Sequence, residues 1–447
     1  MSKQHHVAVL AFPFGTHGAP LLNLVQRLAK ALPNAIFSFF STHKSNSSLF
    51  SSSLTLDNVK AYDVDDGVPE GYVLGKSQED IELFLKVARE GFKNEIAVAE
   101  EKVGRKISCV IADPFLWFTC EMAEEMGVDW IAFWTSGVTP LSAHFHTDLV
   151  RQTIALDGAN ERKEELVTFI PGFSELSLGD LPDGILFGNL HSPFSQMLHK
   201  MGQTLPRASA IILNSFEDLN PHIVKDLRTN FKKFLNIGPF GLISPTPISK
   251  VSDVHGCLSW LDQQKEGSVA YIGFGTVVAP PPHELKALAE ALEERKTPFL
   301  WSLKDHLKLN LPEGFLERTK EIGKIVPWTP QVQVLGHKAT GVFIFHGGWN
   351  SMLESVVGGV PVIGRPFFGD QHVNVSVVER VWKTGIKIEG GVFSKDGVLQ
   401  GLELVLSSER GKEMKERVRE LRELAFKSVE PNGSSSKNFE TLLSMLL

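Results

Sequence analysis

The chain has 447 residues, more than one hydrophobic core supports, so two domains of roughly 200 residues each are expected, with a binding cleft between them. A formal charge of −7 and the lack of any Lys/Arg run long enough to follow a phosphate backbone exclude a nucleic-acid partner. The three cysteines, Cys109, Cys120 and Cys257, have no metal-ligand spacing and read as core thiols of a reducing compartment, not as a disulfide framework.

The first residues, Met1 to His6, lead into about six apolar residues before Pro13. That is too short for a signal peptide or a membrane span, so a cytoplasmic protein without membrane insertion is expected. Short apolar runs then alternate with helical patterns: Val7–Phe12, Leu21–Ala31, Ile36–Phe40, a long pattern over Gln78–Val103, Ser108–Ala112, Phe115–Met126 and Trp130–Phe133. Such alternation predicts parallel strands joined by crossover helices. Asp63-Val-Asp65 mimics a metal-binding Asp-X-Asp pattern, but it sits before a Gly-Pro loop and reads as a solvated turn; no metal site is expected. Asn236–Pro247 is dense in Pro, Gly and Ser and marks a linker. The theme repeats in Ser268–Phe274, Pro298–Ser302, Lys324–Val326, Val342–Phe345 and Pro361–Ile363, so a second doubly wound α/β domain follows. The expected organisation is an N-terminal domain over 1–240, a linker over 241–254, a C-terminal domain over 255–430, and a last helix over 431–447 free to pack back on the first domain.

In the first domain His17 follows the first strand at its carboxyl end. Alone, it reads equally as an ordinary polar loop histidine. Asp113 follows the strand ending Val-Ile-Ala112 and emerges on the same sheet edge, where it can orient an imidazole and stabilise its protonated form. In the second domain Thr340–Ser355 reads as a strand, a turn with Gly347 and Gly348, and a helix. Glycines there let the backbone approach a diphosphate at a helix N-terminus. His346, Asn350 and Ser351 can hydrogen-bond it, and Glu354, one turn on, can accept from ribose hydroxyls. A second glycine turn, Gly273-Phe-Gly-Thr276, can clamp the other face. Arg365-Pro-Phe-Phe-Gly-Asp-Gln371 ends another strand with a carboxylate and an amide suited to sugar hydroxyls, although a loop with a helix cap at Asp370 fits as well. Trp328 can stack on a base or belong to the core.

Taken together, Trp328-Thr-Pro-Gln331, His346-Gly-Gly-Trp-Asn-Ser351, Glu354, Gly359-Val-Pro361, Pro366 and Asp370-Gln371 resemble, in order and spacing over 44 residues, the signature box of plant UDP-dependent glycosyltransferases of secondary metabolism. Phe12–His17, Asp66–Gly71, Gln78–Phe84 and Asn214–Leu219 extend the resemblance to flavonoid and anthocyanidin 3-O-glucosyltransferases. The resemblance implies a GT-B fold, two Rossmann-like domains facing across a cleft, with the donor UDP-glucose in the C-terminal half as co-substrate and no metal or other cofactor. It assigns uracil stacking to Trp328 and ribose to Gln331 and Glu354. The diphosphate falls to His346, Asn350, Ser351 and Thr276, and the sugar to Trp349, Asp370 and Gln371, the last favouring glucose over galactose. His17 becomes the base and Asp113 its partner in a single inverting displacement. A flavonoid acceptor would draw on Gly15, Gln78, Phe115, Thr135, His144, Phe187 and Phe368. Two positions depart from the pattern. Gly347 stands where Cys is usual, implying a lost packing side chain, and Gly273 replaces the usual Ser, removing a hydroxyl contact. A monomer is expected.

A dehydrogenase is the first rival, but the loop after the first strand reads Pro13-Phe-Gly-Thr-His-Gly-Ala and lacks Gly-X-Gly-X-X-Gly. A non-catalytic nucleotide-sugar-binding protein is the second, and a glucosyltransferase for a terpenoid, hormone or simple phenol is the third.

Overall fold

The computed structural model describes residues 5–51, 56–75, 78–243 and 253–447. Thirteen strands form two parallel sheets among them. The first is built from β1 (His6–Leu10), β2 (Ile36–Thr42), β3 (Val59–Val64), β4 (Cys109–Ala112), β5 (Asp129–Trp134), β6 (Ala210–Leu213) and β7 (Phe234–Asn236), in the order β3-β2-β1-β4-β5-β6-β7. The second is built from β8 (Val269–Gly273), β9 (Phe299–Ser302), β10 (Gly323–Val326), β11 (Thr340–Phe345), β12 (Val362–Gly364) and β13 (Gly385–Lys387), in the order β10-β9-β8-β11-β12-β13. Both are doubly wound α/β sheets, as the alternation of apolar and helical patterns predicts. Most strands are buried along their whole length, the condition of a parallel sheet covered by helices on both faces, which explains their unbroken apolar runs.

Strand order reverses between β1 and β4 in the first sheet and between β8 and β11 in the second. Their registers fix what emerges at those points. Leu10 pairs with Ala112, so the loop after β1 and Asp113 leave the same edge; Phe345 pairs with Gly273, so the two glycine turns do likewise. Open parallel sheets bind ligands at such reversals, beyond the strands' carboxyl ends.

The described chain clusters into two compact units: Met1–Arg162, Asp183–Phe240 and Glu430–Leu447 form one, and Lys163–Pro182 with Gly241–Val429 the other. Lys163–Pro182 therefore departs from the expected boundary, which left it in the first domain. Its loop closes on itself through the Leu166–Ser177 bridge, and Asp180 accepts from Ser376 Oγ (2.6 Å) and Arg380 Nη1 (3.0 Å). Contacts so distant in sequence leave no periodic trace. The last helix, Ser434–Met445, places Leu442 and Leu446 in the core of the first unit, and Asn438 Nδ2 donates to Asn236 O at 2.9 Å.

Other expectations need correction. Part of the Pro/Gly-rich linker is structured, because Asn236 closes β7 and Phe240 is buried in the first core; residues 244–252 lie outside the described ones. Asp63 is no solvated turn. It sits within β3, bonded to His43 Nδ1 and Asn46 Nδ2, each at 2.7 Å, while Asp65 Oδ1 accepts from Gly67 N at 2.9 Å. Cys109, Cys120 and Cys257 are free and buried, and burial pushes the Cys109 thiol up to about 12. No described helix is long and apolar enough to cross a membrane.

Candidate active site

Residues of the first unit converge on His17. The loop after β1 turns at Gly15, whose φ of +63° suits glycine, and delivers His17 to the start of the helix Gly18–Ala31. Asp113, 1 % exposed, is fixed from both sides: its N–H donates to Leu10 O and its Oδ1 accepts from Phe115 N, both at 3.0 Å. Its other oxygen meets His17 Nδ1 at 2.6 Å, and Thr135 Oγ1 lies 3.2 Å from the same nitrogen. A carboxylate at Nδ1 assigns the proton there, so the Nε2 lone pair, which has no hydrogen-bond partner among the described residues, is the basic one. The imidazole is walled by Phe115 (centroids 4.5 Å apart) and Phe12 (5.2 Å); Phe115 continues to Trp134 at 6.0 Å, and Trp134 to His144 at 6.0 Å. Burial lowers His144 to about 4, which keeps its ring neutral at ordinary pH.

Of the seven expected acceptor residues, Gly15, Phe115, Thr135 and His144 are thus joined around His17. Gln78 is exposed, at φ 65°, at the start of the helix Glu79–Val103, whose Phe84 packs on Phe12 and Phe14. Phe187 is half-buried in the first unit, while Phe368, 45 % exposed, belongs to the second.

In the second unit the turns after β8 and β11 enclose His346. A Cβ at Gly275 would lie 3.1 Å from His346 Cε1, and one at Gly348 2.3 Å from Nε2, so both glycines are there to admit the ring. Burial lowers this histidine to about 4, and its Nδ1 is buried without a hydrogen-bond partner. The helix Trp349–Gly358 begins here, bringing Asn350 and Ser351 on its first turn, while Thr276 is exposed on the facing turn. Gln331 is the hub. Its Nε2 donates to Ser351 Oγ (2.9 Å) and Glu354 Oε2 (2.7 Å), and its Oε1 accepts from Tyr271 Oη (2.9 Å). Burial raises the Glu354 carboxyl above its ordinary value, against the opposing effect of the Gln331 amide. Trp328 is 59 % exposed and offers its indole face. Trp349, expected at the sugar, is 5 % exposed, with its ring 6.5 Å from that of Trp382.

The Arg365–Gln371 loop carries the remaining pair. Gln371, 6 % exposed, spends its carbonyl oxygen on Phe367 N (2.9 Å) and Phe368 N (3.3 Å), so its amino group is the end available to a hydroxyl. Asp370 Oδ2 accepts from Asn374 Nδ2 at 3.0 Å. Both substituted glycines change meaning in this setting. Gly347 has φ +86°, and a Cβ there would sit 2.7 Å from Val375 Cγ2 and 2.9 Å from Gln371 O, so no packing space stands empty. At Gly273 a Cβ would approach Tyr271 Oη (3.3 Å) and Gln331 Oε1 (3.5 Å), so a serine there would join the hub.

Residues 79–425 match the family described as UDP-glucoronosyl and UDP-glucosyl transferase. The chain is a member of that family. It is 59 % identical over 447 residues to an anthocyanidin 3-O-galactosyltransferase of Actinidia chinensis var. chinensis, covering 100 % of this chain and 98 % of that protein. It is 55 % identical to a flavonol 3-O-glucosyltransferase of Arabidopsis thaliana, covering 99 % and 97 %. The crystal structure of a UDP-glucose:anthocyanidin 3-O-glucosyltransferase in complex with UDP superposes with a TM-score of 0.93 at 40 % identity, covering 100 % of this chain and 99 % of that one, which identifies the fold as GT-B.

This UDP-glycosyltransferase also contains site residues that sequence reasoning missed. Tyr271 orients the Gln331 amide and bonds Thr329 Oγ1 at 2.7 Å; lying two residues before Gly273, it shares that glycine's face of β8, a period-two signal that was available. Glu284, 1 % exposed, accepts from Arg365 Nε (3.0 Å) and Phe393 N (2.8 Å), while the Arg365 guanidinium stacks 3.9 Å over Phe367. That buried pair anchors the start of the Arg365–Gln371 loop. Its one sequence signal is an acid beside Leu285 and Leu288 on a core-facing helix.

Proposed function

We propose that this transferase moves glucose from UDP-glucose, with inversion, onto the 3-hydroxyl of a flavonol or anthocyanidin. The His17–Asp113 hydrogen bond of 2.6 Å, at the strand-order reversal of the first sheet, carries the reading. His17 Nε2 takes the acceptor's hydroxyl proton as its oxygen attacks the anomeric carbon. The bond from that carbon to the diphosphate oxygen breaks, and UDP leaves with the electron pair. Asp113 holds the tautomer and balances the imidazolium that forms. One displacement inverts the anomeric centre.

On the donor side, Trp328 stacks the uracil, and Gln331 with Glu354 holds the ribose. His346, Asn350, Ser351 and Thr276 take the diphosphate at the helix N-terminus, whose dipole favours the departing charge. Trp349, Asp370 and the Gln371 amino group contact the sugar. No cation has a role in this scheme, so turnover is expected to persist in excess EDTA. On the acceptor side, Phe115 and the aromatic wall of His17 suit a flat polyphenol, with Gly15, Gln78, Thr135, neutral His144, Phe187 and Phe368 completing its surroundings. We further propose a cytoplasmic monomer; three free buried thiols suit a reducing compartment.

Mass spectrometry of products from a panel of flavonols and anthocyanidins, with UDP-glucose and UDP-galactose in parallel, tests the reading. A 3-O-glucoside is expected, and a panel left unmodified overturns it. Galactose is the second reading, supported by the galactosyltransferase relative at 59 % identity. Gln371→His is expected to move preference toward galactose; an unchanged donor ratio counts against the sugar assignment.

A further inference from the structure

Asn374 is 1 % exposed on the short helix Gln371–Ser376, directly behind the loop that carries Asp370. Its Nδ2 donates to Gly347 O and to Asp370 Oδ2, each at 3.0 Å. Both partners can only accept, so the orientation of the amide is set by chemistry: the nitrogen must be where it is, and both its hydrogens are used. One side chain thereby ties the glycine turn at the start of the helix Trp349–Gly358 to the carboxylate at the end of the Arg365–Gln371 loop. The same contact explains the missing side chain at Gly347, since a Cβ would push on Gln371 O and Val375 and drive the short helix off the turn. At its other end this helix is held independently, through Ser376 Oγ to Asp180 Oδ1 at 2.6 Å.

The geometry points to Asn374 as a positioning residue that sets the Asp370 carboxylate relative to the turn at Gly347, and through it the fit of the donor's sugar as distinct from its UDP. This rests on the proposed donor site. Uracil, ribose and diphosphate are assigned to residues on other elements, and Asn374 meets the diphosphate turn only at Gly347 O, so its loss is felt chiefly at the sugar. A hydrogen bond to a carboxylate is strong enough that removing its donor shifts a fit by about tenfold to a hundredfold.

The test is Asn374→Asp, nearly isosteric but without donors and with a second carboxyl facing Asp370, together with Asn374→Ala. Calorimetry with UDP checks that the donor domain is intact. The expected result is a Kd for UDP within a few-fold of wild type, a loss of the affinity difference between UDP-glucose and UDP, a kcat/KM for UDP-glucose lower by about tenfold to a hundredfold, and a UDP-glucose to UDP-galactose ratio drawn toward one. In the Asp370→Asn background, Asn374→Ala is expected to add little to these losses, because the two act as one unit. Parallel loss of UDP affinity, an unchanged sugar preference, or failure of both variants to fold overturns the proposal and leaves Asn374 a structural residue. Should the wild-type protein transfer no sugar, the reading of function fails, yet the comparison of UDP-glucose with UDP binding still decides the role of Asn374.

Discussion

His17 can serve as a base only while its Nδ1 proton is held by Asp113, because the other tautomer would present Nε2–H to the acceptor. His17→Ala is therefore expected to abolish transfer and Asp113→Asn to cut kcat by about 10² to 10⁴, with UDP affinity nearly unchanged in both; surviving transfer in His17→Ala removes it as the base. A second titration matters for stability. Folded His144 binds a proton only near pH 4, whereas its unfolded counterpart does so near 6.5. Across that window the unfolded chain binds more protons, so stability falls as pH drops from 6.5 to 4, by on the order of 3 kcal/mol for this buried group. Thermal melts over that range check the slope, which His144→Leu is expected to reduce, the share of His346, also lowered to about 4 by burial, remaining. At this scale the sequence was legible where chemistry follows a strand end: His17, Asp113 and His346 stand where that rule puts them, and Glu354 one turn into the helix that follows. Tyr271, Glu284 and Asn374 escaped it. They act through partners 60, 81 and 27 positions away, and no local pattern encodes such pairings.

At the level of elements, two glycine turns and one short helix meet around His346, and their close approach depends on absent side chains. Resemblance alone suggests that cysteine at 347 would restore packing. With φ at +86° and Cβ neighbours at 2.7 and 2.9 Å, Gly347→Cys is instead expected to destabilise the protein by about 1–3 kcal/mol and to weaken UDP binding; chemical denaturation and calorimetry measure both. Strands with long apolar runs were readable from sequence within a residue or two. β3, β6, β7 and β13 were not: exposed Lys60, Ala61 and Asp63 interrupt the apolar run of β3, and the three or four buried residues of the others look the same in a strand as in a helix.

For the whole molecule, two α/β halves followed from length and alternation, but the path of the chain through them did not. Residues 163–182 join the second unit, and 430–447 the first. Leu442 sits at 0 % exposure in the first core, so Leu442→Ala is expected to cost about 2–4 kcal/mol, read as a lower denaturation midpoint. A fragment ending at residue 240 should expose apolar surface to a dye such as ANS, and a peptide of residues 430–447 should suppress that signal; a fragment that stays dark without the peptide argues against the dependence.

A ribosome makes residues 1–162 of the first unit early and residues 430–447 only after the second unit. The whole second unit is translated while the earlier core still lacks Leu442 and Leu446. Nascent chains therefore carry an unsealed apolar face until residues 430–447 are made, and their synthesis, not the end of the first 240 codons, sets when that half can finish folding.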